Sequence, residues 1–293
     1  MNIIQIFQGF RDEEDCLRHL EKVRWPDGAI CPYCQSKNNH SIQKESRHFC
    51  YNCRTSFSVT VGTIFHHTHL PLQKWFLAIA LILNAKKGIS ALQLSRDLKV
   101  NKNTAWRIAM QIRKAMNQVE HRELLTGIVE MDECYVGGKP RKGKRYDNDD
   151  NKPKRGRGTK KAPIIGAVER NGSVTAKAVP HDKLKGKNLR AFVRERLKTS
   201  ETRLITDEYR GYLGMSKILS HDVIKHDIWY VNGDIHTNTI ESFWAILKRG
   251  IFGQFHSISR KYLQKYIDEF CYRYNNRWND SVFELTLSRA LGV

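Results

Sequence analysis

The chain reads as an α/β protein in three modules, and three observations predict it. Two Cys-x-x-Cys pairs lie near the N-terminus. Two amphipathic helical stretches joined by a short polar turn follow, and then strand-like and helix-like segments alternate to the end. The pattern divides the chain into 1–70, 71–122 and 123–293. At 293 residues there is room for one large domain and one or two small ones.

The first module carries a short N-terminal helix and then Cys31-Pro-Tyr-Cys34 and Cys50-Tyr-Asn-Cys53, separated by fifteen residues. A CxxC turn puts two thiolates on one side of a tight knuckle. Two knuckles joined by a hairpin complete a tetrahedral site with Zn–S distances of about 2.3 Å. Four protein ligands leave no open position, so the expected zinc is structural, and a module this small needs it to fold. His40 and His48 lie between the knuckles as bystanders, and Cys16, Cys134 and Cys271 read as buried thiols. Seven cysteines, an odd number with four in CxxC pairs, point to a reducing cytoplasm rather than a disulfide framework.

In the second module, after PLQKWFLAIALILNAKKG, the stretch ISALQLSRDLKVNKNTAWRIAMQIRKAM predicts a helix, a turn at Lys99–Asn103 and a second helix. Ala91, Leu94, Leu98, Val100, Ala105, Ile108 and Ile112 supply the buried side. Thr104, Trp106 and Arg107 are left to reach a DNA groove, because the second helix of a helix-turn-helix meets base edges with its early residues.

The third module begins with GIVEMDECYV, a strand. Alternation puts Ile128, Glu130, Asp132, Cys134 and Val136 on one face and Val129, Met131, Glu133 and Tyr135 on the other, so pattern alone does not choose between Asp132 and Glu133. Residues 139–161 hold eleven basic residues, three acids and no aliphatic residue; such a segment builds no core and reads as a basic insertion suited to DNA phosphates. PIIGAVERNGSVTAKAVP is a hairpin around Asn171-Gly172, NLRAFVRERL a crossover helix, and RLIT a strand ending at Asp207 and Glu208, where the same ambiguity recurs. In HTNTIESFWAILKRG, Ile240, Phe243, Trp244, Leu247 and Ile251 form a stripe at helical spacing. Glu241 stands about 100° from Ile240 on the wheel, and Lys248 returns to nearly the same azimuth two turns on. Asn238 is positioned to cap that helix or support the site. The last helix is expected over Ser259 to Asn276, with Leu263, Tyr266, Ile267, Phe270 and Tyr274 as its core side.

Carboxylates at two strand ends and in the first turn of a helix are the layout that a two-metal phosphoryl-transfer site needs, since distant elements must converge to bring oxygen ligands around two divalent cations. The segments MDECYVGGK, TDEYRGY and HTNTIESFWAILKRGIFGQFHSIS resemble the catalytic signatures of bacterial insertion-sequence transposases of the DDE class, in particular the group named for insertion sequence fifteen-ninety-five. The resemblance covers nearly the whole chain. It implies an RNase H-like catalytic domain preceded by a zinc ribbon and a helix-turn-helix, with a catalytic triad of Asp132, Asp207 and Glu241 followed by the basic Lys248. It further implies two Mg²⁺ (or Mn²⁺) held by the triad, a water and then a freed 3′ hydroxyl as successive nucleophiles, and Lys248 and Arg249 on the DNA backbone beside the cut. The implied partners are double-stranded DNA, as element ends and target, and further copies of the chain in a synaptic dimer or larger assembly.

Composition agrees with a polyanionic partner: 50 Lys and Arg against 30 acids give a formal charge of +20, and neutralising phosphates releases condensed counterions. The N-terminus lacks the basic region of a secretory signal. The longest apolar run, Trp75 to Leu83, is nine residues where a bilayer takes about 20. The expected location is therefore the bacterial cytoplasm, at the nucleoid. Two rival readings share these features: a structure-selective endonuclease that cuts without joining, and a zinc-ribbon and helix-turn-helix transcription regulator with an inert third module.

Overall fold

The structure, a computed structural model, describes residues 3–117, 123–137, 161–180, 184–225, 231 and 233–293. Of the basic insertion, only Lys161 falls among them. The chain forms two compact units, Met1–Asn117 with Trp278–Val293, and Gln118–Arg277. The last sixteen residues thus belong with the first unit, whereas the sequence reading ran the catalytic module to residue 293.

In the first unit, helices α1 (Ile3–Gly9) and α2 (Glu13–Arg24) precede a three-stranded antiparallel sheet of β1 (Asn39–Ile42), β2 (Arg47–Cys50) and β3 (Ser56–Phe57). Asp12 caps α2 by accepting from the Asp15 amide at 2.8 Å, and three acids follow in its first turn, where the helix dipole favours negative charge. Helix α3 (Leu72–Asn84) is apolar nearly all round and buried along most of its length. Helices α4 (Ala91–Leu98) and α5 (Lys102–Ala115) are joined by a three-residue turn. Lys99 takes a left-handed conformation there, Ser90 caps α4 and Asn101 caps α5.

The second unit is a five-stranded sheet in the order β6-β5-β4-β7-β8, formed by β4 (Leu125–Val136), β5 (Ala162–Glu169), β6 (Val174–Ala178), β7 (Leu197–Thr206) and β8 (Ser220–Val223). β4 to β6 run antiparallel, and β7 and β8 run parallel to β4, which is the RNase H-like arrangement. The hairpin between β5 and β6 turns at Asn171, whose φ of 60° is one that Asn tolerates well. Helix α6 (Gly186–Arg196) covers one face, with Leu189, Phe192 and Val193 packed on Val129, Met131 and Leu204. Helices α7 (Asn238–Gly250) and α8 (Arg260–Asn275) cover the other, where Phe243, Trp244, Leu263 and Ile267 meet Cys134, Val136, Ile164 and Val168.

The free edge of β6 is closed by side-chain amides of α8. Asn275 accepts from the Val174 amide at 2.7 Å and donates to the Val174 carbonyl at 3.0 Å, and Gln264 accepts from the Ala178 amide at 2.8 Å. An edge occupied in this way offers no template to another strand. Helix α8 is not the last one. A further helix, α9 (Val282–Leu291), buries Phe283, Leu287, Ala290 and Leu291 in the first unit, and Glu284 on it bonds His19 of α2 at 2.8 Å. Its apolar residues at i, i+4, i+7 and i+8 are an ordinary amphipathic signal that the sequence reading passed over.

One glycine decides how closely α7 lies on the sheet. A Cβ built on Gly166 of β5 would stand 2.5 Å from the Trp244 ring, so only a glycine lets that indole come this close to the strand. Gly166→Ala is therefore expected to cost about 1–3 kcal/mol through overpacking. Chemical denaturation of the purified protein measures it, and an unchanged midpoint would show that α7 yields without strain.

Candidate active site and metal centre

The first strand of the sheet sorts its acids by face. Glu130, Asp132 and Cys134 look toward α7, while Glu133 turns to the α6 side, where it neighbours the fully buried Tyr212. The sheet register then brings the second acid alongside: Met131 pairs with Thr206 across the parallel β4–β7 ladder, so Asp207 is the next residue beside Asp132. Adjacent strands lie roughly 4.8 Å apart. Asp207 is half-buried and its Oδ1 accepts from the Tyr209 amide at 3.0 Å, a local turn that fixes the carboxylate at the strand end, whereas Glu208 is exposed.

Helix α7 supplies the third acid. Its stripe of Ile240, Phe243, Trp244, Leu247 and Ile251 is buried throughout, each side chain contributing about 1.5–3 kcal/mol of apolar burial. Glu241 and Lys248 remain exposed on the flank. The Thr237 hydroxyl donates to Glu241 Oε1 at 3.0 Å. Lys248 reaches the Cys134 thiol, two residues along β4 from Asp132, and Arg249 donates from Nε to the Ala245 carbonyl at 3.0 Å.

The start of α7 is held by a residue that pattern reading left as one acid among several. Glu130 has no exposed surface, and its Oε2 accepts from the amides of Thr239 at 2.7 Å and Ile240 at 3.0 Å. Its Oε1 accepts from the Thr239 hydroxyl at 2.9 Å and from Arg170 Nε at 2.7 Å. These first-turn amides have no partner within their own helix, and a carboxylate at the positive end of the helix dipole satisfies both needs. Asn238, expected to cap the helix or support the site, is exposed in the first helical position; the tertiary contact from β4 takes over the capping.

The electrostatics reflect the crowding. Burial pushes the Asp132 carboxyl up to about 7, and the neighbouring charges of Glu133, Asp207 and Glu241 push the same way. An all-oxygen donor set under mutual repulsion is the chemistry of a hard divalent-cation site, where a bound ion would relieve the repulsion.

The cysteine knuckles form a second centre. One ligand atom from each of Cys31, Cys34, Cys50 and Cys53 lies within 4.8 Å of all the others. Two of the sulfur pairs, Cys31 with Cys53 and Cys34 with Cys50, are 3.6 and 3.5 Å apart. A tetrahedron of Zn–S bonds of about 2.3 Å has edges of roughly 3.8 Å, so these residues fit a zinc ion with little adjustment. The Cys53 amide draws the Cys50 thiol down to about 7, while desolvation and hydrogen bonds to the neighbouring cysteines push Cys34 up to about 12, so the four thiols share protons that a bound metal would displace. His48 is turned away to Glu21 at 2.9 Å and stacks on Phe57, which leaves the ligand set to sulfur.

The ISXO2-like transposase domain model matches residues 124–275, just over half of the chain, and a transposase zinc-ribbon domain model matches residues 11–56. The chain belongs to this transposase family. A relative in Halobacterium salinarum, described as an uncharacterized protein in transposable element ISH50, is 29% identical over 272 residues, covering 89% of this chain and 90% of its own. Among solved structures, the transposase is similar to the Mos1 strand transfer complex at 14% identity with a TM-score of 0.31, over 74% of this chain and 75% of that one. A pre-cleavage Mos1 transpososome matches at 14% identity and a TM-score of 0.30 over the same shares.

In this transposase Asp207 and Glu241 come near enough to Asp132 to act on its charge, and Lys248 near enough to act on Cys134. Thr104, Trp106 and Arg107 lie in the other unit on α5, with Thr104 half-buried and the other two exposed. No helix among the described residues is long and apolar enough to cross a membrane. The ribbon geometry carries an expectation of its own. Cys31→Ser or Cys53→Ser should strip the metal from the first unit and unfold the ribbon, while the second unit, which takes no ligand from it, keeps its sheet. Zinc content and amide exchange measured across both units check this; stoichiometric zinc in either variant would refute the ligand assignment.

Proposed function

We propose that this transposase binds the terminal inverted repeats of its insertion sequence and catalyses metal-dependent DNA strand cleavage followed by strand transfer. The observation that carries the reading is the meeting of Asp132 and Asp207 at adjacent strand ends with Glu241 from α7, close enough for the latter two to act on the charge of Asp132. Asp132, Asp207 and Glu241 would hold two Mg²⁺ or Mn²⁺ ions, which when bound supply Lewis-acid activation of the nucleophile and stabilise negative charge on the phosphoryl and leaving oxygens. The protein's own part is orientation. β4 and β7 fix two carboxylates by register, and the buried stripe of α7 fixes the third.

In the first step a water oxygen attacks phosphorus and the 3′ oxygen leaves as a hydroxyl; in the second that 3′ hydroxyl, losing its proton, attacks a target phosphorus, the new P–O bond replaces the old one, and the target strand's own 3′ oxygen leaves. Both are in-line displacements that need no covalent intermediate on the chain. Lys248 and Arg249, exposed at the C-terminal end of α7, are suited to hold the phosphates beside the cut. On α5, Arg107 and Trp106 are exposed and Thr104 half-buried near the start of the second helix of a tight helical pair, the position from which side chains meet base edges. Joining two ends in one reaction calls for at least two copies of the chain.

Purified variants test the reading. Asp132→Asn or Glu241→Gln should abolish divalent-dependent cleavage of end DNA and leave end binding nearly intact, since each removes a ligand charge and no groove contact. Wild-type turnover in either would sink the triad, and cleavage without joined products in the wild type would make the protein a nuclease. Arg107→Ala should weaken binding to element ends by about 1–3 kcal/mol relative to unrelated DNA. An unchanged ratio of specific to nonspecific affinity would remove α5 from the recognition surface.

A further inference from the structure

We infer that Glu130 is a positioning residue of the carboxylate site: it sets where Glu241 stands relative to Asp132, and so how tightly the site takes a divalent cation. The inference rests on the reading of Asp132 and Glu241 as ligands. Glu130 is on β4, two residues before Asp132 and on the same face. Its carboxylate accepts from Thr239 and Ile240, the two residues immediately before Glu241. One rigid side chain therefore spans the strand that carries the first acid and the helical turn that carries the third.

Thr237, in the capping position, makes no side-chain capping bond; its carbonyl accepts from the Glu241 amide at 3.1 Å and its hydroxyl is engaged with the Glu241 carboxylate. The loop before the helix hangs on the Glu130 carboxylate. Arg170, from the β5–β6 turn, bonds Glu130 Oε1 and also donates to the His236 carbonyl at 3.1 Å, while His236 Nδ1 lies 3.3 Å from Glu130 Oε1. A charge with no exposed surface is a poor device for stability, because well-packed apolar groups of similar volume do as well. What a carboxylate with both oxygens hydrogen-bonded adds is a single allowed register between strand and helix.

The experiment measures Mn²⁺ binding by electron paramagnetic resonance to the purified full chain, with zinc content and thermal unfolding recorded alongside. The variants are Asp132→Asn, Glu130→Gln, Thr239→Val and Arg203→Ala. Thr239→Val removes only the hydroxyl bond to Glu130 and leaves the helix backbone unchanged. Arg203 ties β8 to the chain before α7 by hydrogen bonds to Asp222 and Asp234, so its variant controls for loosening in general. The expected result is a drop in Mn²⁺ affinity of at least tenfold for Glu130→Gln and severalfold for Thr239→Val. Arg203→Ala should bind as wild type, and zinc should remain stoichiometric throughout.

Should Glu130→Gln fail to fold, Thr239→Val decides alone. Wild-type Mn²⁺ affinity in both Glu130→Gln and Thr239→Val, beside a loss in Asp132→Asn, would overturn the positioning role and leave the site reading standing. An equal loss in Arg203→Ala would overturn it too, as a sign of general loosening. Wild-type affinity in Asp132→Asn would instead reject the site reading itself.

Discussion

The contact on which the second unit turns is the buried carboxylate of Glu130 against the N-terminus of α7. Helix docking by apolar stripe alone leaves freedom to slide, because a row of large side chains can be accommodated in neighbouring grooves at modest cost. Here two backbone amides and a hydroxyl converge on one carboxylate, and an arginine from a neighbouring turn completes its coordination. Sliding by one residue would strand a charge in the interior. Gly166 acts in the same direction, since the space it leaves is filled by Trp244 and by that residue only at one depth. Register and depth together fix the helix, and with it the exposed Glu241 and Lys248.

That rigidity matters because the acids repel one another. Asp132 is held up to about 7 by burial and by three neighbouring carboxylates, and a looser scaffold would relax by letting them part. The sheet forbids it for Asp132 and Asp207, which follow a paired register in adjacent strands. The two centres use opposite logic. In the ribbon, four soft sulfur donors are placed to hold a zinc ion, which when bound would contribute folding energy to a module with few strands and a small core. In the RNase H-like unit the core folds on its own apolar layers, and the site is a repulsive cluster of hard oxygen donors carried on top of them.

Much of this was legible in the chain, for specific reasons. The CxxC spacing is local, and a stripe such as Ile240, Phe243, Trp244, Leu247 and Ile251 can only be a helix face, so those elements could be read directly. Alternation named the two faces of β4 but not which one would meet α7; that depends on the pairing of Met131 with Thr206, a long-range fact with no local signal. Glu130 was missed for the related reason that an acid in an alternating strand reads alike whether it is solvated, ligating or buried against a helix end. A weak signal was present in Glu130 itself, since its face includes Cys134 and Val136, both core residues. Helix α9 was passed over because ten amphipathic residues at the end of a chain invite no further element, although their spacing is regular.

The distribution of charge gives the proposed chemistry its last constraint. A chain with a formal surplus of +20 draws in a polyanion at long range, yet the phosphate to be cut must approach three or more carboxylates at short range. Screening separates the two regimes: beyond about 8–10 Å the net positive field acts through its sum, and inside that distance the local acids dominate. Lys248 and Arg249 stand at this boundary, exposed on the last turns of the helix that carries Glu241. In the proposed reading they would take the phosphates flanking the reacting one and leave the charge at the acids uncompensated. Only a cation seated among the oxygens does that. In this reading DNA and divalent ion are mutually dependent ligands, and the fixed geometry of β4, β7 and α7 makes each a condition for the other.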